Sequence, residues 1–355
     1  MFIDFWGEGY TIAEQMGLTD ALNSAGYNVE EVRLVDRHGR KVGGFATEAF
    51  RRTTNDRFIS LPRGDLAAMI YRCTEGHVET VFADSISGIE HHESSVHVTF
   101  ERGRPRPFDL VIGADGIHSP VRGLVFGPEV KCERNLGYMV AAFAADRYRP
   151  HDERVYVAYT TPGRMVARFA MRDDRTLFFF AFVDGLRRGP APQDRGDINA
   201  ALRQVFGEAG WECPDILQEL ERADDVYFDR VSQIIMDSWS RGRVALIGDA
   251  AGAVSLLAGE GAGLAMVAAY VLAGELSRAG VDHREAFRRY EQLLHPLVET
   301  EQRSARVFAS VFAPKTALGL WVRNHATKLL RIPQLADWMV RREFGDDIGL
   351  PDYAI

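Results

Sequence analysis

Apolar positions recur along this chain in three rhythms. Near the start, Ile12, Met16, Leu18 and Leu22 of TIAEQMGLTDALNSAGY fall on one face of a short amphipathic helix that Gly26 ends. Alternation then takes over: VEEVRLVDRHGRKVGGF predicts two strands around a turn at Asp36-Arg37-His38-Gly39, and LPRGDLAAMIYRCTEG returns to a helical pattern from about Gly64. HVETVFADSISGIEHHESSVHVTFERG predicts further short strands with a hairpin turn at Glu93-Ser94-Ser95. A third rhythm is continuous. Leu110-Val111-Ile112 and the RVALIGD run read as strands covered on both faces.

Between Leu136 and Val183 the runs YMVAAFAA, RVYVAYTT, RMVARFAM and TLFFFAFV are separated by turn signals at Pro162-Gly163 and Asp173-Asp174. They predict an antiparallel sheet forming a second module. Ile198 to Ala223 is helical in pattern, and so is the chain from Arg284 onward, with breaks expected at Pro296, Pro314 and Pro333. Ala250 to Gly274 is almost uncharged, but Glu260 interrupts it and leaves fewer than the roughly 18 apolar residues that a membrane span needs. It reads as a buried loop and helix, with no integral membrane segment.

Composition narrows the class. At 355 residues, with 46% hydrophobic and 26% charged residues, the chain has the makings of two packed units or one large interleaved one. A net charge of -8 repels phosphate backbones and gives no support to nucleic-acid binding. Cys73, Cys132 and Cys213 are odd in number and show no metal-ligand spacing, so they read as thiols of a reducing cytoplasm. No signal peptide is visible at MFIDFWGEGY.

The chemistry concentrates in two strand-end motifs, DLVIGADGIHSPVR (residues 109–122) and GRVALIGDAAGAVSLLAGEGAGLAM (residues 242–266). Each apolar strand delivers a glycine and then an aspartate at its carboxyl end, where open α/β sheets bind ligands. Glycine lets backbone approach a phosphate or a planar ring, and an aspartate accepts hydrogen bonds from ribose hydroxyls. The second motif runs on through Gly259-Glu260-Gly261 into a helix start, a place suited to negative charge.

On these residues the chain resembles the class A FAD-dependent monooxygenases of the p-hydroxybenzoate hydroxylase fold, and among them the tetracycline-inactivating-like oxidoreductases. The first motif is similar to that family's DG motif and the second to its GD motif; LPRGDL, the central sheet and MDSWSRGRVALIGD extend the likeness over nearly the whole chain. The resemblance implies an α/β, three-layer FAD-binding fold with an interleaved antiparallel substrate sheet. The FAD-binding part is expected from residues 1–30, 58–125 and 236–300, the substrate sheet from 31–57 and 126–235, and C-terminal helices from 301–355. It further implies FAD as cofactor, NAD(P)H and oxygen as co-substrates, and an aromatic or polyketide-like small molecule as substrate. Carried over by position, Asp249 with Gly248 would bind FAD near the ribose and pyrophosphate, and Asp115 with Gly116 would support the pyrophosphate region and nicotinamide-dependent reduction. Arg63 would contact the flavin, and Gly259 and Gly261 would lie against its ring system.

Two departures qualify the likeness. Family members open with a strand, Gly-x-Gly-x-x-Gly and a helix, and this chain is expected to lack that unit of about 40 to 50 residues. Its front offers Gly7-x-Gly9 with Ile12 at the third position, a poor fingerprint. Where the family carries prolines before the GD motif's Gly-x-Gly, this chain has Ser255-Leu256-Leu257. A flavin-free fragment or pseudoenzyme, and a flavin-dependent reductase or dehydrogenase of the same fold, are the alternatives.

Bland readings account for the remaining features. His92 and His97 differ by an odd number and would face opposite ways on one strand, so His91, His92 and His97 are expected exposed, with no metal. Phe178, Phe179, Phe180 and Phe182 read as sheet core, with pocket lining as the alternative. LWVRNHATKLLRIPQLADWMVRREF reads as a helix packed across both modules rather than on a membrane surface.

Overall fold

Residues 2–148, 152–329 and 349–353 are described by the structure, a computed structural model. The chain opens with β1 (Phe2–Trp6), α1 (Gly7–Gln15) and α2 (Thr19–Ala25), then β2 (Glu31–Val35), β3 (Lys41–Ala46), α3 (Glu48–Thr53), β4 (Phe58–Pro62) and α4 (Arg63–Thr74). Next come β5 (Ile86–His91), β6 (Val96–Phe100), β7 (Arg106–Phe108), β8 (Val111–Gly113) and α5 (Pro120–Phe126). The middle holds β9 (Glu133–Asp146), β10 (Val155–Thr161), β11 (Arg164–Ala170), β12 (Arg175–Val183), α6 (Arg195–Phe206) and α7 (Cys213–Arg222). The described part closes with β13 (Tyr227–Ile234), β14 (Ser240–Arg241), β15 (Val244–Leu246), α8 (Asp249–Gly252), α9 (Gly261–Ala279), α10 (His283–Phe312) and α11 (Ala317–Leu329).

The alternating runs build a seven-stranded sheet in the order β13-β9-β12-β11-β10-β2-β3. Its pairings are antiparallel except for β2 on β10, which is parallel and draws the early hairpin into the central sheet. Asp173 and Asp174 take positive φ at the turn between β11 and β12, and Gly163 does so between β10 and β11. One face of the sheet is covered by α6 and α7 through Phe178, Phe180, Phe182, Leu202 and Ile216. The other face meets Leu256, Leu257 and Ala313. Phe178, Phe180 and Phe182 are therefore core, and Phe179 points to the opposite face, where it meets Phe312 edge-on.

A second sheet, β14-β15-β8, holds the two motif strands side by side and parallel, with Val111 opposite Val244 and Gly113 opposite Leu246. β15 is buried at all three residues. β8 differs from expectation: Val111 is buried, but Ile112 is 37% exposed, because its face carries no covering layer among the described residues. Gly7-x-Gly9 does open a helix after a strand, yet β1 pairs antiparallel with β4 in a separate sheet and does not join β8 and β15. That placement rules out a dinucleotide fingerprint for it.

Other differences have local causes. The first amphipathic stretch is two helices, because Gly17 takes φ +74 between them. Pro296 lies inside α10 without ending it, whereas Pro314 does separate α10 from α11; Pro333 lies outside the described residues. His92 and His97 face each other with ring centroids 4.4 Å apart, since they sit on opposite arms of a hairpin where strand parity does not apply. The Ala250 to Gly274 run becomes α8, a loop and the front of α9; α9 is long and apolar enough to cross a membrane, and Val267, Ala268, Val271 and Leu272 seat it in the core beside α10. The described part of the C-terminal stretch, α11, packs on β3 and β10.

Candidate flavin site

The parallel pairing of β8 and β15 brings both motifs to one edge. Ile247 donates its N–H to the Gly113 carbonyl (2.9 Å), so the aspartates that follow, Asp115 and Asp249, stand at the carboxyl ends of neighbouring strands. Gly248 has φ +56, and a Cβ there would come within 3.1 Å of Ala265, so glycine is what turns the chain from β15 into α8.

Asp249 lies half-buried, and Gly261 at the start of α9 is its neighbour: a Cβ on that glycine would stand 3.7 Å from Asp249 Oδ1. Burial raises the Asp249 pKa above the ordinary carboxylate value, and the positive charge of Arg63 lowers it by a smaller amount. Among the described residues no donor hydrogen-bonds this carboxylate, which leaves it a desolvated acceptor. Gly259, in the left-handed region at φ +78, precedes α9, whose first amides are capped by no side chain. Residues 261–266 of α9 are apolar or glycine yet only partly buried. A 19-residue helix without a side-chain cap, two glycines and a carboxylate that no described donor hydrogen-bonds form a cradle suited to a dinucleotide with a planar ring.

Asp115 is engaged locally. Its carboxylate accepts from the Ser119 hydroxyl and from the Val121 N–H (2.9 Å), and Ser119 in turn caps α5 by accepting from the Arg122 N–H. It fixes the start of α5, while Gly116 at φ +81 makes the turn between them. Arg63 begins α4 and is exposed. Thus Asp249, Arg63, Gly248, Gly259 and Gly261 come together, with Asp115 and Gly116 on the adjoining strand end.

Sequence reasoning missed the polar chain that ties these parts. Arg122, fully buried, donates to the carbonyls of Ala250 (3.1 Å) and Ile117 and to Glu129 (2.8 Å), so it bolts the first motif onto the second. His118 bridges Glu129 and Asp229, both at 3.0 Å, and the Tyr227 hydroxyl donates to Asp229 (3.1 Å). Burial works against the charged form of His118, but these two carboxylates outweigh it and its pKa lies above the ordinary value. The Tyr227 pKa is raised mainly by burial, and Arg63 and Asp249 act on it electrostatically from the candidate site. The only signal for Arg122 and His118 was their place inside the DG motif; Tyr227 and Asp229 lie on β13, remote in sequence, and carried none.

Comparison with known proteins agrees with this geometry. Residues 11–300 match the family described as FAD binding domain. A flavin-dependent monooxygenase from an unknown prokaryotic organism is 36% identical over 305 residues, which span 84% of this chain and 76% of that protein. The crystal structure of tetracycline destructase Tet(51) superposes with a TM-score of 0.81 at 29% identity, covering 99% of this chain and 89% of the other. Klebsiella pneumoniae R204Q HpxO complexed with FAD shares the fold at a TM-score of 0.79 and 23% identity, over 98% and 89% of the two chains.

Proposed function

The chain belongs to the FAD binding domain family, among its flavin-dependent monooxygenases, and from that membership we propose that it hydroxylates an aromatic or polyketide-like small molecule, with NAD(P)H and oxygen as co-substrates. We place it in the cytoplasm, a reading supported by three unpaired thiols. Bound FAD supplies the electron transfer and oxygen activation that side chains cannot. The protein's part is to bind and orient: Asp249 accepts from ribose hydroxyls, the α9 amides and dipole face negative charge, and Gly259 and Gly261 admit the ring system. Asp115, Gly116 and Arg122 hold the adjoining strand end in register, and Arg63 offsets the charge of Asp249. Leu256 and Leu257 pack onto the seven-stranded sheet, so the flavin loop and the substrate sheet share a dry wall.

The observation that carries this reading is the half-buried Asp249 carboxylate beside Gly261, which accepts no hydrogen bond among the described residues. Because burial raises its pKa, the native state binds this proton more tightly than the unfolded chain. Stability therefore falls as pH rises from 3.8 through the raised value, and at neutral pH the charge works against folding. Asp249→Asn is expected to make the flavin-free chain more stable at pH 7 and, by losing charge-assisted hydrogen bonds, to weaken FAD binding by about 10- to 100-fold. Thermal melts and FAD titration of the same samples test both signs. An unchanged FAD affinity overturns the role of Asp249, and a product that loses hydrogen without gaining an oxygen atom replaces the monooxygenase with a dehydrogenase.

A further inference from the structure

Behind the flavin cradle, between α8, α9 and α10, lies a cavity of about 20 Å³. Gly248, Asp249 and Gly261 line it on the cradle side, and Ala268 of α9 with Leu294 and Val298 of α10 line it within the helix interface. Its inner walls are closed to solvent, since Tyr290, Val267, Leu294 and Trp239 are all buried. Local packing keeps the space open. A Cβ on Gly252 would stand 2.8 Å from Val298 and 3.3 Å from Trp239, so the backbone of α8 already rests on those side chains and cannot sink further into the gap.

Size and chemistry select the occupant. One water-sized molecule needs roughly 10–15 Å³, so the cavity admits a single molecule of very few atoms and excludes a ring. Water itself fits poorly, because a buried water calls for several polar partners. Here the Tyr290 hydroxyl donates to the Leu246 carbonyl (2.9 Å), the Ala251 and Gly252 amides donate to the Gly248 carbonyl (3.1 and 3.0 Å), and the Asp249 carboxylate stands only on the cradle side. We propose that this cavity is a holding site for one small apolar gas molecule, dioxygen. The inference rests on the flavin-dependent oxygenation proposed above and adds a place where oxygen is held beside it. Dioxygen carries no charge and no dipole, so it leaves water for an apolar space as other apolar solutes do. NAD(P)H and an organic substrate are too large to enter, so the cavity serves oxygen alone. Ala268, Leu294 and Val298 set its volume, and Asp249 marks the side on which its occupant meets the cradle.

Dioxygen is paramagnetic, so methyl NMR of the full chain under raised oxygen pressure, with nitrogen at the same pressure as control, reads the cavity without any turnover. The Val267 and Leu294 methyls are expected to relax at least about threefold faster than those of Leu202 and Ile216, which are as well buried but lie beneath α6 and α7. Ala268→Leu, which fills the cavity, is expected to abolish that excess. Circular dichroism shows whether this variant folds; if it does not, Val298→Leu, which adds a single methylene, takes its place. In the FAD-loaded chain reduced with dithionite, the filled variant is expected to reoxidise about 3- to 10-fold more slowly with dissolved oxygen. No excess relaxation, an excess that survives filling, an unchanged reoxidation rate, or cross-relaxation of these methyls with a bound water each overturns the proposal. Excess relaxation in a chain that binds no FAD leaves the cavity standing and overturns the flavin site, and FAD binding without the excess does the reverse.

Discussion

Arg122 joins the two motifs with its charge fully out of water, donating to Ala250 and Ile117 carbonyls and pairing with Glu129. Its removal leaves buried carbonyls without a donor, so Arg122→Ala is expected to cost about 3 kcal/mol or more; urea denaturation should show a lower midpoint at an unchanged slope. His118 offers a pH test. Its folded pKa is raised above 6.5, so its contribution to stability is fully present below pH 6.5 and is lost as pH rises through the raised value. The stability difference between the natural chain and His118→Gln should therefore be largest in acid and vanish above neutrality; a difference constant across pH contradicts the bridge to Glu129 and Asp229. The glycines and aspartates of the site were legible in the sequence because their spacing at strand ends is a local property. The burial of Arg122 and the link from His118 to Tyr227 were not, since they depend on β13 and α8 arriving from elsewhere in the chain.

Elements follow the hydrophobic rhythm where neighbours along the chain decide, and depart from it where distant packing does. The four strands between residues 133 and 183 form where alternation and turn residues predict them. α1 and α9 show the other case: a Cβ on Gly9 would lie 2.5 Å from the Gly263 Cα, so two glycines far apart in the sequence set the distance between these helices. Gly9→Ala must push α1 away and is expected to cost about 1–3 kcal/mol while loosening FAD binding at the α9 start. A melting temperature and FAD affinity equal to those of the natural chain would contradict this contact. Gly9 was legible as a poor dinucleotide fingerprint, but its packing against Gly263 was not, because that contact depends on α9 arriving from far along the chain. β8 carries the related lesson that a continuous apolar run promises cover on both faces only if a second layer exists, and Ile112 stands open.

At the scale of the molecule, large apolar side chains stand in solvent at Val78 (60%), Val81 (63%), Phe82 (73%) and Val130 (79%), in addition to Ile112. Exposed apolar surface of this kind binds hydrophobic dyes and drives association, so the 355-residue chain is expected to enhance ANS fluorescence and to self-associate with rising concentration. The double substitution Val81→Asp with Phe82→Asp should reduce both in light scattering and dye titration, and no change would show that this segment is covered in solution. The parallel seam of β2 on β10 is the main architectural decision of the whole molecule, because it ties the N-terminal hairpin to a sheet built mostly from residues 133–234. The sequence by itself determined the two strand-end motifs, the antiparallel character of the central sheet and the family, because glycine, aspartate and alternation act through near neighbours. Only the tertiary structure decided that Asp249 has no hydrogen-bond donor among the described residues and that Arg122 bolts the two motifs together. Those outcomes turn on burial, and burial is a property of surfaces that meet across the fold.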